Sequence, residues 1–207
     1  MATRRIPIFT IGLVATIVGL HWLVDDKAML YFSAVDINRG ETWRLLSGHL
    51  MHADAQHLWW NCLGLAVLGT VIEQHSRMAL WVAIGAGMVS VNILLLTPFP
   101  QLDYYCGLSG VLNALLLLAL WLEWTVSRSW LIIMIGCGSV AKVLLEVSMS
   151  ASIVTHISWP PYAWSHVAGM IGGVMVISTI QLARKYYGGL SLKRGGCLHF
   201  ALSYNRQ

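Results

Sequence analysis

Charge is what this chain has least of. Asp, Glu, Lys and Arg together make up 11% of its 207 residues, where a soluble domain of this size carries roughly a quarter. Hydrophobic residues make up 57%, and the mean hydropathy is +0.67. Water is a poor solvent for such a chain, and a lipid bilayer is the expected one. A long basic run is also missing: the net charge of +4 is dispersed, which excludes the electrostatic footprint of a nucleic-acid binder. The four cysteines, Cys62, Cys106, Cys137 and Cys197, form no CxxC pair, which argues against a zinc ribbon or a disulfide framework. One bridge, Cys62 to Cys106, is conceivable if both face the outer side; free buried cysteine is the ordinary alternative. HExxH is absent, and His49, His52 and His57 are too loosely patterned to specify zinc. No metal and no other cofactor is expected. No small-residue cleavage site follows the first apolar stretch, so residues 6–24 read as an anchor rather than a removable signal. Internal repeats, direct or inverted, are not visible, which counts against the usual transporter architectures.

Six apolar segments are long enough to be read as membrane helices: 6–24, 57–72, 78–97, 107–126, 130–149 and 162–182. Trp59, Trp81, Trp124, Trp130 and Trp164 stand near their ends, where amphipathic rings favour the headgroup level. The expected fold is an all-α membrane bundle over residues 1–187, followed by a basic tail over 188–207. Lysine and arginine set its orientation. Arg4, Arg5, Arg77, Arg128, Arg184, Lys185, Lys193, Arg194 and Arg206 fall on one side. The other side has Lys27, Arg39 and Arg44, offset by six carboxylates. The positive-inside rule then places both termini and the tail in the cytoplasm, and the loops 25–56, 98–106 and 150–161 outside.

Polar side chains inside apolar helices are costly and need a reason. Four of them share one depth. His57 and Asn61 are four apart at the outer end of the second segment, hence on one face. Ser109 opens the fourth segment, and His166 lies one turn into the sixth. If the fourth helix meets the cytoplasmic interface at Glu123–Trp124, Ser109 to Leu122 spans roughly 20 Å. In a core about 30 Å thick, the serine then sits on the order of 10 Å below the outer surface. Around it stands Gly107-Leu108-Ser109-Gly110. Alone, GxSG is a weak signal, since such glycines often serve close packing. At a helix start it gains meaning, because unpaired N–H groups there can stabilise an oxyanion. His166 is followed by Gly169 and Gly173, a small-residue face that lets the sixth helix approach the fourth.

These pieces together resemble the rhomboid family of intramembrane serine proteases. Trp43-Arg44 in the first outer loop, His52 ahead of the second helix, His57-x-x-x-Asn61, GxSG at 107–110 and His166-x-x-Gly169-x-x-x-Gly173 occur in the family's order. The resemblance implies a six-transmembrane-helix bundle with an outer loop between helices 1 and 2. It implies Ser109 as nucleophile and His166 as general base and later acid. His57, Asn61 and the Ser109 N–H would form the oxyanion hole, with Gly107, Gly110, Asn113, Gly169 and Gly173 in support. Trp43, Arg44 and His52 would brace the outer loop. The family works as a dyad, so no third acidic residue is expected. Asn113 stands where many relatives have a tyrosine that packs on the base, and Ser165 replaces a common alanine.

The fifth segment carries Lys142 and Glu146 in an otherwise apolar span. An i,i+4 pair that neutralises itself is the first explanation. The second is recognition of substrate, because this helix borders the family's lateral opening and the charged helix resembles the rhombosortase branch. That resemblance implies substrates with a glycine-rich motif, a C-terminal membrane helix and a basic tail. The expected function is thus an endopeptidase of single-pass membrane proteins in a bacterial inner membrane, with its active site open to the periplasmic side. The alternative is an inactive rhomboid-like protein that binds and sorts transmembrane helices.

Overall fold

A segment with no water beside it must satisfy its backbone hydrogen bonds internally, so apolar runs of this length become helices. The computed structural model describes residues 5–100, 102–149 and 162–187. The expected loop 150–161 and tail 188–207 lie outside the described residues. Within them the chain forms α1 Ile8–Leu23, α2 Ala34–Asn38, α3 Arg44–Leu50, α4 Ala55–His75, α5 Arg77–Leu95, α6 Ser109–Ser127, α7 Trp130–Met149 and α8 Ala163–Tyr187. A 3-10 turn, Lys27–Leu30, precedes α2. The protein is an all-α membrane bundle.

Each of the six apolar segments coincides largely with one long helix, but the helices are not equally suited to spanning. By length and composition, α5, α6, α7 and α8 are long and apolar enough to cross a membrane. α1 is apolar but has 16 residues, about 24 Å at 1.5 Å per residue. α4 has 21 residues and carries Gln56, His57, Asn61, Thr70, Glu73 and Gln74 along its length. The outer faces are apolar: Trp22, Trp59, Ile93, Met134, Leu144 and Met175 are all exposed, as lipid contact requires.

α6 is the hub. It packs against α4, α5, α7 and α8 and buries Val111, Ala114, Leu115, Leu118, Ala119 and Leu122. Leu58, Leu65 and Ile72 of α4 and Leu80 and Ala83 of α5 complete this core. Glycines set the closest approaches. A Cβ at Gly173 would meet the Ala114 carbonyl at 2.8 Å, and one at Gly172 would meet the Ala86 carbonyl at 2.8 Å. α8 therefore lies backbone against backbone on α5 and α6, as small residues permit.

Polar clamps hold the two ends. Glu73 near the end of α4 accepts hydrogen bonds from Phe9 N (3.2 Å), Thr10 N (2.9 Å) and Thr10 Oγ1 (2.9 Å). It thus satisfies N–H groups that the start of α1 leaves orphaned. At the same end His75 meets Glu123 at 3.1 Å, and Arg77, Arg128 and Arg184 lie over Phe9, Trp124 and Trp121. At the other end, Arg44 is buried and donates to the carbonyls of Ala28 (2.7 Å) and Tyr31 (2.8 Å) and to Glu41 (2.6 Å). An isolated antiparallel bridge joins Phe32 to Tyr105. Gly107 N donates to Gly48 O at 2.9 Å. The loop between α1 and α4 is thereby tied to the backbone that enters α6.

Candidate active site

α6 begins at Ser109 itself, with no side chain capping its N-terminus. It begins there because Gly107 has φ +122°, a conformation that turns the chain and suits glycine alone. A Cβ at Gly107 would also lie 2.6 Å from His57 Cε1 and 2.7 Å from His57 Nε2. The imidazole of α4 is thus packed on the backbone two residues before the serine. Asp54 fixes its height by capping α4, accepting from His57 N at 2.7 Å.

His166 projects from the second turn of α8. Its Nε2 lies 3.0 Å from Ser109 Oγ, within hydrogen-bond range of a hydroxyl. The ring is buried, while Ser109 is half-buried. The crossing of α6 and α8 explains the contact: Gly169, one turn past His166, faces the carbonyl oxygen of Gly110, and a methyl group there would run into it. Gly110 is hemmed in likewise, by Val91 and by Ser165 O, 3.0 Å from where its Cβ would be. Glycines 110, 169 and 173 therefore line one seam, and the serine and histidine stand at one end of it.

Other expected site residues are placed differently. Asn61 is buried and donates from Nδ2 to His57 O at 3.1 Å, a bond within its own helix. Asn113 likewise donates to Ser109 O at 2.9 Å. His52 is fully buried, with its ring edge-on to His57 at 4.9 Å between centroids. Burial, and then the neighbouring His57, lower its pKa to about 3. Buried His49 hydrogen-bonds Asn92 Oδ1 at 3.0 Å, and burial lowers its pKa to about 4. Both rings stay neutral at physiological pH. Arg44 lies inside the loop it was expected to brace, whereas Trp43 is 53% exposed. Cys62 and Cys106 are free thiols, so no bridge joins them; Cys197 lies outside the described residues. Burial pushes the Cys106 thiol up to about 12.

The clearest departure concerns the absent third acid. Glu146 of α7 is buried, with its Oε2 3.2 Å from His166 Nδ1. Lys142 Nζ contacts both carboxylate oxygens at 2.8 Å. The i,i+4 pair is present, but its acid is turned inward onto the imidazole. Sequence spacing placed Lys142 and Glu146 on one helical face; it carried no signal that this face looks at His166. Glu73 and the His75–Glu123 pair were also not singled out from the sequence, since each joins helices far apart in the chain.

The family model of the Rhomboid domain matches residues 39–182. The chain is also similar to a protein named Rhomboid protease GluP of Bacillus subtilis (strain 168), with 25% identity over 191 residues. That alignment covers 86% of this chain and 36% of the relative, so the chain spans little more than a third of the relative's length. The matched domain takes in α3 and nearly all of α8, and with them every helix that supplies a residue to the serine–histidine pair. The chain belongs to the rhomboid family.

Proposed function

We propose that this chain is an intramembrane serine endopeptidase that cuts membrane-anchored proteins through Ser109 and His166. The observation that carries this reading is the 3.0 Å contact between Ser109 Oγ and His166 Nε2, at the uncapped start of a buried helix. His166 Nε2 takes the proton from Ser109 as Oγ attacks the scissile carbonyl carbon. The oxyanion is stabilised by the Ser109 N–H, one of the orphaned donors of the first helical turn, with His57 and Asn61 beside it. Asn61 must leave His57 O to contribute. The imidazolium then gives its proton to the leaving amine. Water attacks the acyl-enzyme, its proton passing to Nε2 and on to Ser109.

Substrates in this reading are single-pass proteins whose membrane helix is opened by glycine or other small residues, since a backbone already free of helix costs less to extend. The enzyme sits in a bacterial inner membrane with both termini cytoplasmic and Ser109 open to the periplasmic side. In support, the arginines Arg77, Arg128 and Arg184 gather at the end of the bundle opposite Ser109. The finer reading, removal of glycine-rich C-terminal anchors as in rhombosortases, would use Lys142, whose side chain is 40% exposed beside the site. Glu146, 2% exposed, is not reachable in the same way.

The test is labelling by a fluorophosphonate probe, together with co-expression with candidate single-pass proteins and mapping of new termini by mass spectrometry. Wild type is labelled and generates new termini; Ser109→Ala does neither. Identical processing by Ser109→Ala, or a wild type inert to both assays, refutes the reading and leaves a helix-sorting protein.

A further inference from the structure

α7 is the outermost of the site's helices, and nearly all of it faces away from the protein. Of its twenty residues only Val143 and Glu146 are buried. One of its two buried side chains is therefore a carboxylate, 2% exposed. Burying a charge is costly unless it is paired and hydrogen-bonded. An acid that served only to neutralise Lys142 would gain the same bond at the rim of the helix without that cost, and Lys142 itself keeps a 40% exposed side chain. Glu146 instead turns inward, and the group it reaches is His166 Nδ1 at 3.2 Å.

We infer that Glu146 is a positioning residue for His166, held in place by Lys142, so that the site works as a serine–histidine–glutamate triad. The inference rests on the protease reading above. An imidazole with its proton on Nδ1 donates to Glu146 Oε2 and leaves the Nε2 lone pair facing Ser109. The opposite tautomer would put a proton on Nε2 and make it useless as a base. When Nε2 takes the Ser109 proton, the imidazolium keeps Nδ1–H on the carboxylate and its charge is balanced in place. The proton leaves again from Nε2, to the departing amine, and Glu146 is never protonated. Lys142 donates to both oxygens at 2.8 Å and fixes the plane of the carboxylate.

The first measurement needs no substitution at Glu146. In detergent micelles, two-bond proton–nitrogen correlations of histidine-labelled protein, assigned with His166→Gln, report the tautomer of neutral His166. The expected result is Nδ1–H; an Nε2–H tautomer overturns the inference even if Glu146 variants do not fold. The second measurement follows a single-pass reporter whose cleavage is lost in Ser109→Ala. Glu146→Gln is expected to lower kcat on the order of 10²- to 10⁴-fold with KM unchanged within about threefold. Glu146→Asp recovers at least about tenfold of that loss. A kcat for Glu146→Gln within about threefold of wild type overturns the inference. So does a loss carried by KM, or one that Glu146→Asp does not relieve. If Ser109→Ala is inert and Glu146→Gln is normal, only the role of Glu146 fails. If Ser109→Ala cleaves every reporter normally, the protease reading fails with it.

Discussion

Replacing Gly169 by alanine tests the geometry of the site without touching any reacting group. The added methyl would run into the carbonyl oxygen of Gly110, a backbone atom that cannot swing aside as a side chain could. Carbon and carbonyl oxygen approach no closer than about 3.3 Å, so α8 must retreat from α6 by on the order of 1 Å. His166 lies one turn away on the same helix, 3.0 Å from Ser109 Oγ. That contact would open to about 4 Å, beyond hydrogen-bond range. A misplacement of this size costs roughly 10²-fold in rate, while overpacking at the seam costs about 1–3 kcal/mol of stability. The assay is the second-order rate of fluorophosphonate labelling of Ser109 in micelles, read beside the thermal midpoint. Gly173→Ala, which meets Ala114 O at 2.8 Å, should fall less, and Gly138→Ala, with nothing within 4 Å, should not change. Labelling of folded Gly169→Ala at the wild-type rate, or an equal loss in Gly138→Ala, would refute the account of the seam.

Two further outcomes follow from groups away from the chemistry. His49 and His52 are held at about 4 and about 3 by burial, below the ordinary value of about 6.5. Their contribution is intact above pH 6.5. As pH falls below it, the unfolded chain takes up protons that the folded chain refuses, until the folded values are reached. Between pH 7 and pH 5 the two together remove roughly 4 kcal/mol. Thermal midpoints measured across that window should decline, and the decline should flatten when both are replaced by glutamine; an unchanged slope contradicts the burial argument. Glu73→Gln removes a carboxylate that serves three donors at the start of α1, with an expected cost of about 1–3 kcal/mol. Limited proteolysis should then reach α1 first while probe labelling of Ser109 persists; equal loss of both would show that the clamp and the site are not separable.

Much of the candidate site was legible in the sequence because its signals are local. A serine flanked by glycines at the start of an apolar run, and a histidine followed by glycines at three and seven, are patterns within single helices. The depth estimate takes α6 to end near Glu123. The helix runs to Ser127, and Glu123 is met by His75 from α4. Asn61 and Asn113 show the same limit. Both were placed by spacing on the correct helices, and both donate to a backbone carbonyl of their own helix, which no spacing rule foretells.

What the sequence by itself determined is the solvent, the helices and the layer in which the polar residues lie, since apolar length and a 3.6-residue period are properties of one segment at a time. Only the tertiary structure decided which faces meet. The rotation of α7 about its axis makes Glu146, already half of an intrahelical ion pair, the partner of His166 as well, and the close approach of α8 at Gly169 brings that histidine to Ser109. Both depend on packing between helices tens of residues apart, where shape complementarity rather than local propensity sets the answer.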